Sequence, residues 1–177
     1  MNDFSELCLR RQSCRNFSAA PVEHEKLLKC VDAGHLAPSA CNSQPWSFVV
    51  VETPDIVSEV AKCGQQIKMN PFLTTATAFI VVLEEHAVLN ASIRNILDSQ
   101  YFAKGDLGAA TVQICLEAET QGLGTCIIGI YNREGLCKLL NIPIEKQFAA
   151  LIAVGYPADD KIRVKQRKPI DEITRFV

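Results

Sequence analysis

At 177 residues and 19.5 kDa, the chain is long enough for one well-cored domain and short for two. With 48% hydrophobic and 21% charged residues it reads as an ordered globular protein. A net charge of −2 and a pI near 5.9 disfavour nucleic acid as a partner, and apolar runs such as residues 148–156 are too short to span a bilayer.

MNDFSEL at the N-terminus places acids where a secretory signal has basic residues, so the cytoplasm is the expected location. Residues 2–12 and 22–37 predict helices, the second with Leu27, Leu28, Val31 and Leu36 as an apolar stripe that Pro38 ends. WSFVVVE (46–52) predicts a strand, and 54–66 a helix with Thr53 as its cap and Pro54 at its first position. TAFIVVLEE (77–85) predicts a buried strand. Residues 98–121 predict a central helix, with Leu107, Ala110, Ile114, Cys115 and Ala118 at helical spacing and Gly122 and Gly124 closing it. A third strand over 125–131, a short helix over 133–141 and a fourth strand over 147–157 follow. Alternating helices and strands predict a sheet covered by helices. Residues 158–177 are charged but end in Ile173, Phe176 and Val177, so this tail either packs on another subunit or folds back on its own domain.

Eight cysteines include no C-x-x-C pair and none with a histidine at zinc-site spacing, so no metal is expected. Most lie among apolar neighbours, where a free thiol behaves as a small core residue, and so many free thiols suit a reducing compartment. His24, His35 and His86 have charged neighbours and read as surface residues. No G-x-S-x-G, H-E-x-x-H or P-loop pattern occurs. GLGTCIIG (122–129) precedes a strand and would need its third glycine at Ile127, which rejects a Rossmann site.

Polar residues at the ends of segments remain. In RRQSCRNFS, Arg11, Ser13 and Arg15 stand at alternate positions, so an extended backbone aims them one way. The set suits a phosphate, or else a solvated basic face with a turn serine. Lys165 and Arg167 form a second basic group at alternate positions, and the two groups are the densest in a slightly acidic chain. In LAPSACNSQPWSF, Asn42 and Gln44 offer amides, Ser39 and Ser43 hydroxyls, and Pro38 and Pro45 stiffness, which suits either the polar edge of a heterocycle or a capping turn. Trp46 anchors the loop in the core or stacks on a ligand.

RQSCRNFS, APSACNSQPWSFVVV, GLGTCIIG, FAALIAVGYP and RKPIDEI, in this order, resemble the FMN-dependent nitroreductase family over nearly the whole chain. The resemblance implies an α+β fold, with a mixed sheet sandwiched by helices, and a single FMN-binding domain over 1–177. It also implies an intertwined homodimer in which the tail from about 158 extends onto the partner, with two FMN sites at the subunit interface. Arg11, Ser13 and Arg15 would meet the FMN phosphate, ribityl chain and ring edge, with Lys165 and Arg167 completing the phosphate site. Pro38, Ser39, Ala40, Asn42 and Gln44 would come from the other subunit. Ile128 and Gly129 would set backbone groups beside the ring, and Asn70 would touch its edge. Gln12 replaces a basic residue common before the motif serine, which leaves the ligand unaffected if the side chain points away. The segment 86–100 is too short for the helical insertions of longer members.

On this reading the flavin carries the chemistry and no protein acid or base is required. NADH or NADPH reduces it, and a small electron-poor acceptor such as a nitroaromatic or quinone then takes the same seat, giving ping-pong kinetics. A flavin carrier or sensor without turnover is the alternative from another class. A thiol redox protein using Cys14 or Cys41 is a third.

Overall fold

A computed structural model describes residues 3–65, 68–94 and 98–177. Four strands, β1 (Trp46–Val51), β2 (Ala78–Glu84), β3 (Gly124–Ile128) and β4 (Gln147–Gly155), form one sheet in the order β1-β2-β4-β3. Every pairing among them is antiparallel. The expected mixed sheet is therefore corrected: among the described residues the parallel pairing is a lone bridge, Ser13 to Thr125.

The helices are α1 (Phe4–Arg10), α2 (His24–His35), α3 (Pro54–Gly64), α4 (Ala91–Arg94), α5 (Ala103–Thr120), α6 (Arg133–Leu139) and α7 (Ile170–Ile173). Alternation along β2 explains the layers. Ile80 and Val82 point to one face, where Leu27 and Cys30 of α2 and Leu107, Ala110 and Ile114 of α5 cover them. Phe79, Val81 and Leu83 point to the other, against Val57 and Val60 of α3 and Leu136 of α6. Both faces being buried is why this strand reads as a continuous apolar run rather than an alternating one.

Several boundaries move. The first predicted helix shrinks to α1, and Asn2 lies outside the described residues, as do Gln66 at the end of the predicted 54–66 helix and residues 95–97 of the 86–100 segment. Leu27 is buried in α2, but Leu28 and Leu36 are exposed, and the inward face runs instead through Cys30 and Gly34. Thr53 and Pro54 hold their predicted positions on α3, yet the threonine hydroxyl makes no cap bond. α5 begins at Ala103, because residues 98–102 form turns around Asp98, whose Oδ1 accepts from Gln100 N–H at 3.1 Å. The third strand ends at Ile128, and Gly129 to Tyr131 leave the sheet. The helix after it ends at Leu139 and the fourth strand at Gly155.

Gly122 ends α5 in the left-handed region, at φ 75°, as expected. Gly124 has a different reason. A Cβ there would lie 2.7 Å from Cys14 Cβ, so the glycine lets the segment after α1 sit directly on β3.

Candidate functional site

Residues 11–16 leave α1 and run along β3, with Cys14 N–H donating to Thr125 O at 2.8 Å. The tail returns beside this segment. Ala158 N–H donates to Asn16 O at 3.0 Å, and Gln12 Nε2 donates to Lys161 O at 2.7 Å. Gln12 Oε1 in turn accepts from Arg163 N–H at 3.1 Å and Nε at 3.0 Å. Arg163 Nη2 donates to Ser13 O at 2.6 Å, and Lys165 Nζ donates to Arg11 O. The two basic groups of the sequence thus meet within the chain. Burial, then repulsion from Arg11, Arg167 and Arg163, holds the Lys165 ammonium below the usual lysine range, partly opposed by Glu119. Such crowding of like charge fits a dianion, which would relieve it. Arg15 is exposed, and Arg167 bonds the neighbouring Gln166 O at 2.7 Å.

Gln12 and Arg163 also stand in this cluster, and the sequence motifs do not single them out. Gln12 does not simply point away: it ties the tail to the site. Arg163 had a signal, since Arg163, Lys165 and Arg167 continue one alternation.

A second group forms where β3 ends. Asn70 sits in the left-handed region at φ 55°, and its Nδ2 donates to Gly64 O at 3.0 Å and to Ile130 O at 3.3 Å. That bond brings it beside Gly129, which is exposed and where a Cβ would meet nothing within 4 Å. Ile128 itself is buried in the core.

The third group is the loop of Pro38, Ser39, Ala40, Asn42 and Gln44. Cys41, Asn42 and Gln44 have φ of 54°, 52° and 48°, a left-handed cluster costing about 1–3 kcal/mol per residue. Ser39 stabilises it: its hydroxyl accepts from Gln44 N–H at 3.0 Å and its carbonyl from Asn42 N–H at 3.0 Å. Trp46 is 7% exposed and anchors the loop in the core, as one of its two readings required. Its Nε1 and the buried Ser43 Oγ have no hydrogen-bond partner among the described residues.

No hydrogen bond or ion pair among the described residues joins this loop to Arg11, Ser13, Arg15, Lys165 or Arg167. A cleft of about 810 Å³ takes in Ser13 and Arg15, but it leaves out Arg11, Lys165, Gly129 and the whole loop. The chain by itself does not enclose the full set.

All eight cysteines are free; Cys30, Cys115, Cys126 and Cys137 are buried, and Cys8 and Cys41 are exposed. All three histidines are exposed. Among the described residues no group of His, Cys, Asp or Glu is placed to hold a metal ion, and no helix is long and apolar enough to cross a membrane.

A three-layer fold with a basic strand-edge segment, a strained polar loop and an exposed glycine turn after β3 defines the class: an α+β protein with an antiparallel sheet covered by helices on both faces. The family model described as "Nitroreductase family" matches residues 9–156, and the chain belongs to the nitroreductase family. A provisionally named NADH dehydrogenase/NAD(P)H nitroreductase of Archaeoglobus fulgidus is 30% identical, over 91% of this chain and 89% of that protein. An FMN reductase [NAD(P)H] of Bacillus subtilis is 26% identical, over 98% of this chain and 73% of its own length. The solved structure of a provisionally assigned nitroreductase from Exiguobacterium sibiricum, in complex with FMN, superposes with a TM-score of 0.84 at 20% identity. It covers all of this chain and 98% of that one.

Proposed function

We propose that the protein is an NAD(P)H-dependent flavin oxidoreductase, working as a homodimer with an FMN held at each of two sites between subunits. The observation that carries this is the convergence of Arg11, Arg163, Lys165 and Arg167, where Arg163 bonds Ser13 O and Lys165 bonds Arg11 O, and where burial, then the neighbouring guanidinium groups, hold the lysine pKa down. The donor set fits the group: guanidinium forks and an ammonium suit a phosphate, and the Bacillus relative is named for FMN reduction.

When bound, FMN would supply the redox chemistry, hydride transfer from NAD(P)H and electron transfer to an electron-poor acceptor such as a nitroaromatic or quinone. The chain's own residues bind and orient. Arg11, Lys165 and Arg167 would neutralise the phosphate, Ser13 would meet the ribityl hydroxyls, and Arg15 would meet the ring edge. Exposed Gly129, just after buried Ile128, would let the ring approach the backbone without a side chain in the way, and Asn70 holds that turn. Donor and acceptor use one seat in turn, so kinetics are ping-pong. The loop from Pro38 to Gln44 completes the site of the partner, which accounts for its separation from the cations in a single subunit.

The tail supports the homodimer. Ile170, Ile173, Phe176 and Val177 are 62–108% exposed, a run that a monomer has no reason to leave in water. Among the described residues no strand pairs with the outer edge of β1, and the backbone at Thr174 is extended, at φ −129° and ψ 134°, so a partner's tail has a strand to join. Gly105, Gly108 and Val112 are exposed on α5 and allow close approach of a second copy.

The test is the absorption spectrum of the purified protein before and after anaerobic NADH or NADPH, followed by a nitroaromatic. A yellow protein that bleaches and recovers its colour is expected. A yellow protein inert to both nicotinamides would mean a flavin carrier, and one that binds no FMN at all would end the proposal.

A further inference from the structure

The strained loop needs an external hold. Its internal bonds fix its shape, but they do not fix where it stands relative to the body of the subunit. Its C-terminal end is anchored by Pro45 O, which accepts from Glu85 N–H at 2.9 Å, and by buried Trp46. At the other end, Ala37 is buried and its N–H donates to Gly34 O at 3.2 Å, while Pro38 is exposed. There Ala40 N–H donates to Asp106 Oδ2 at 3.1 Å. Among the described residues Asp106 is the one side chain outside the loop that bonds to residues 38–44. It lies in the first turn of α5, immediately before buried Leu107, so its backbone is fixed by the core.

We propose that Asp106 is a positioning residue for the flavin ring: through the single bond to Ala40 it holds the strained tip at Cys41, Asn42 and Gln44 in the place where it borders the cofactor. This deepens the flavin reading above and rests on it. Left-handed non-glycine residues persist only where the surroundings over-determine them, and a loop held only at its two buried ends, Ala37 and Trp46, samples other positions between them. Loss of the tether therefore costs ring binding rather than phosphate binding. Asp106 itself makes no hydrogen bond to the phosphate segment or the tail among the described residues.

The experiment measures dissociation constants for FMN and for riboflavin, together with the visible circular dichroism of the bound flavin, in four proteins. Asp106→Leu removes the acceptor and Asp106→Asn keeps a carbonyl oxygen. Ala40→Pro removes the donor, at a position whose preceding residue, Ser39, is already extended at φ −143° and ψ 151°. The fourth protein combines Asp106→Leu with Ala40→Pro.

Asp106→Leu is expected to weaken both flavins by about tenfold, leaving their ratio unchanged and altering the dichroism, while Asp106→Asn stays within about threefold of the parent. Ala40→Pro should match Asp106→Leu, and the double variant should lose no more than either, since both remove one bond. Parent-like binding by Asp106→Leu overturns the inference. So does equal damage from Asp106→Asn, or full additivity in the double variant. Should Asp106→Leu fail to fold, Ala40→Pro alone decides, and parent-like binding there overturns it equally. A parent that binds neither flavin defeats the flavin reading itself, and this inference with it. A parent that binds both while the variants bind equally well defeats the inference alone.

Discussion

Gln12 and Arg163 stand 151 positions apart, yet one carboxamide oxygen of Gln12 accepts both the backbone N–H and the side-chain Nε of Arg163. This clasp, with Gln12 Nε2 on Lys161 O, fixes the register of the tail against the segment after α1. Gln12→Ala should loosen the tail by about 1 kcal/mol and raise its open population about fivefold. Tryptic cleavage after Lys161 and Arg163, followed by mass spectrometry, measures it; an unchanged rate would show that the clasp holds nothing.

Arg11→Ala separates the phosphate from the ring. Its carbonyl still accepts from Lys165, so the tail stays in place while one guanidinium is lost. FMN affinity should fall by about tenfold or more and riboflavin affinity should hold, because charge-assisted bonds to phosphate are worth about 1.5–3 kcal/mol. Equal loss for both flavins would remove Arg11 from the phosphate site.

Lys165 gives the pH dependence. Its folded pKa lies below its ordinary 10.5, with burial and the neighbouring guanidinium groups as the cause. Between the lowered value and 10.5 the unfolded chain binds more protons, so this group adds stability to the flavin-free protein as pH rises through that window. A bound phosphate favours the charged ammonium and raises the pKa, so FMN binding on the alkaline side takes up protons, and affinity falls as pH rises. Calorimetry in buffers of different ionisation enthalpy reads the uptake; none, or a release, contradicts the assignment.

Thiol reactivity tests the rival chemistry. Burial pushes the Cys30 thiol up to about 12, and Cys115, Cys126 and Cys14 are also raised, with burial the first cause. The Cys30 thiol stays protonated when folded between 9.0 and about 12, whereas the unfolded chain ionises it, so that group removes stability as pH rises above 9.0. In the native protein, exposed Cys8 and Cys41 should react first with a chromogenic disulfide at pH 8, about 2 per chain in the fast phase, and the four buried thiols only on unfolding. Turnover that survives Cys14→Ser with Cys41→Ser excludes a thiol mechanism; its loss would revive one.

Sequence by itself determined the four strands, the principal helices and the family, because apolar periodicity and short polar motifs are local properties of the chain. It also placed Arg11, Ser13 and Arg15 on one extended segment. Tertiary structure alone decided that all four strands run antiparallel, that Gly124 is required by Cys14, that Gln12 clasps Arg163, and that Asp106 tethers Ala40 from 66 positions away. Each of those depends on which residues meet across the fold, and no pattern within a window of the chain carries that distance.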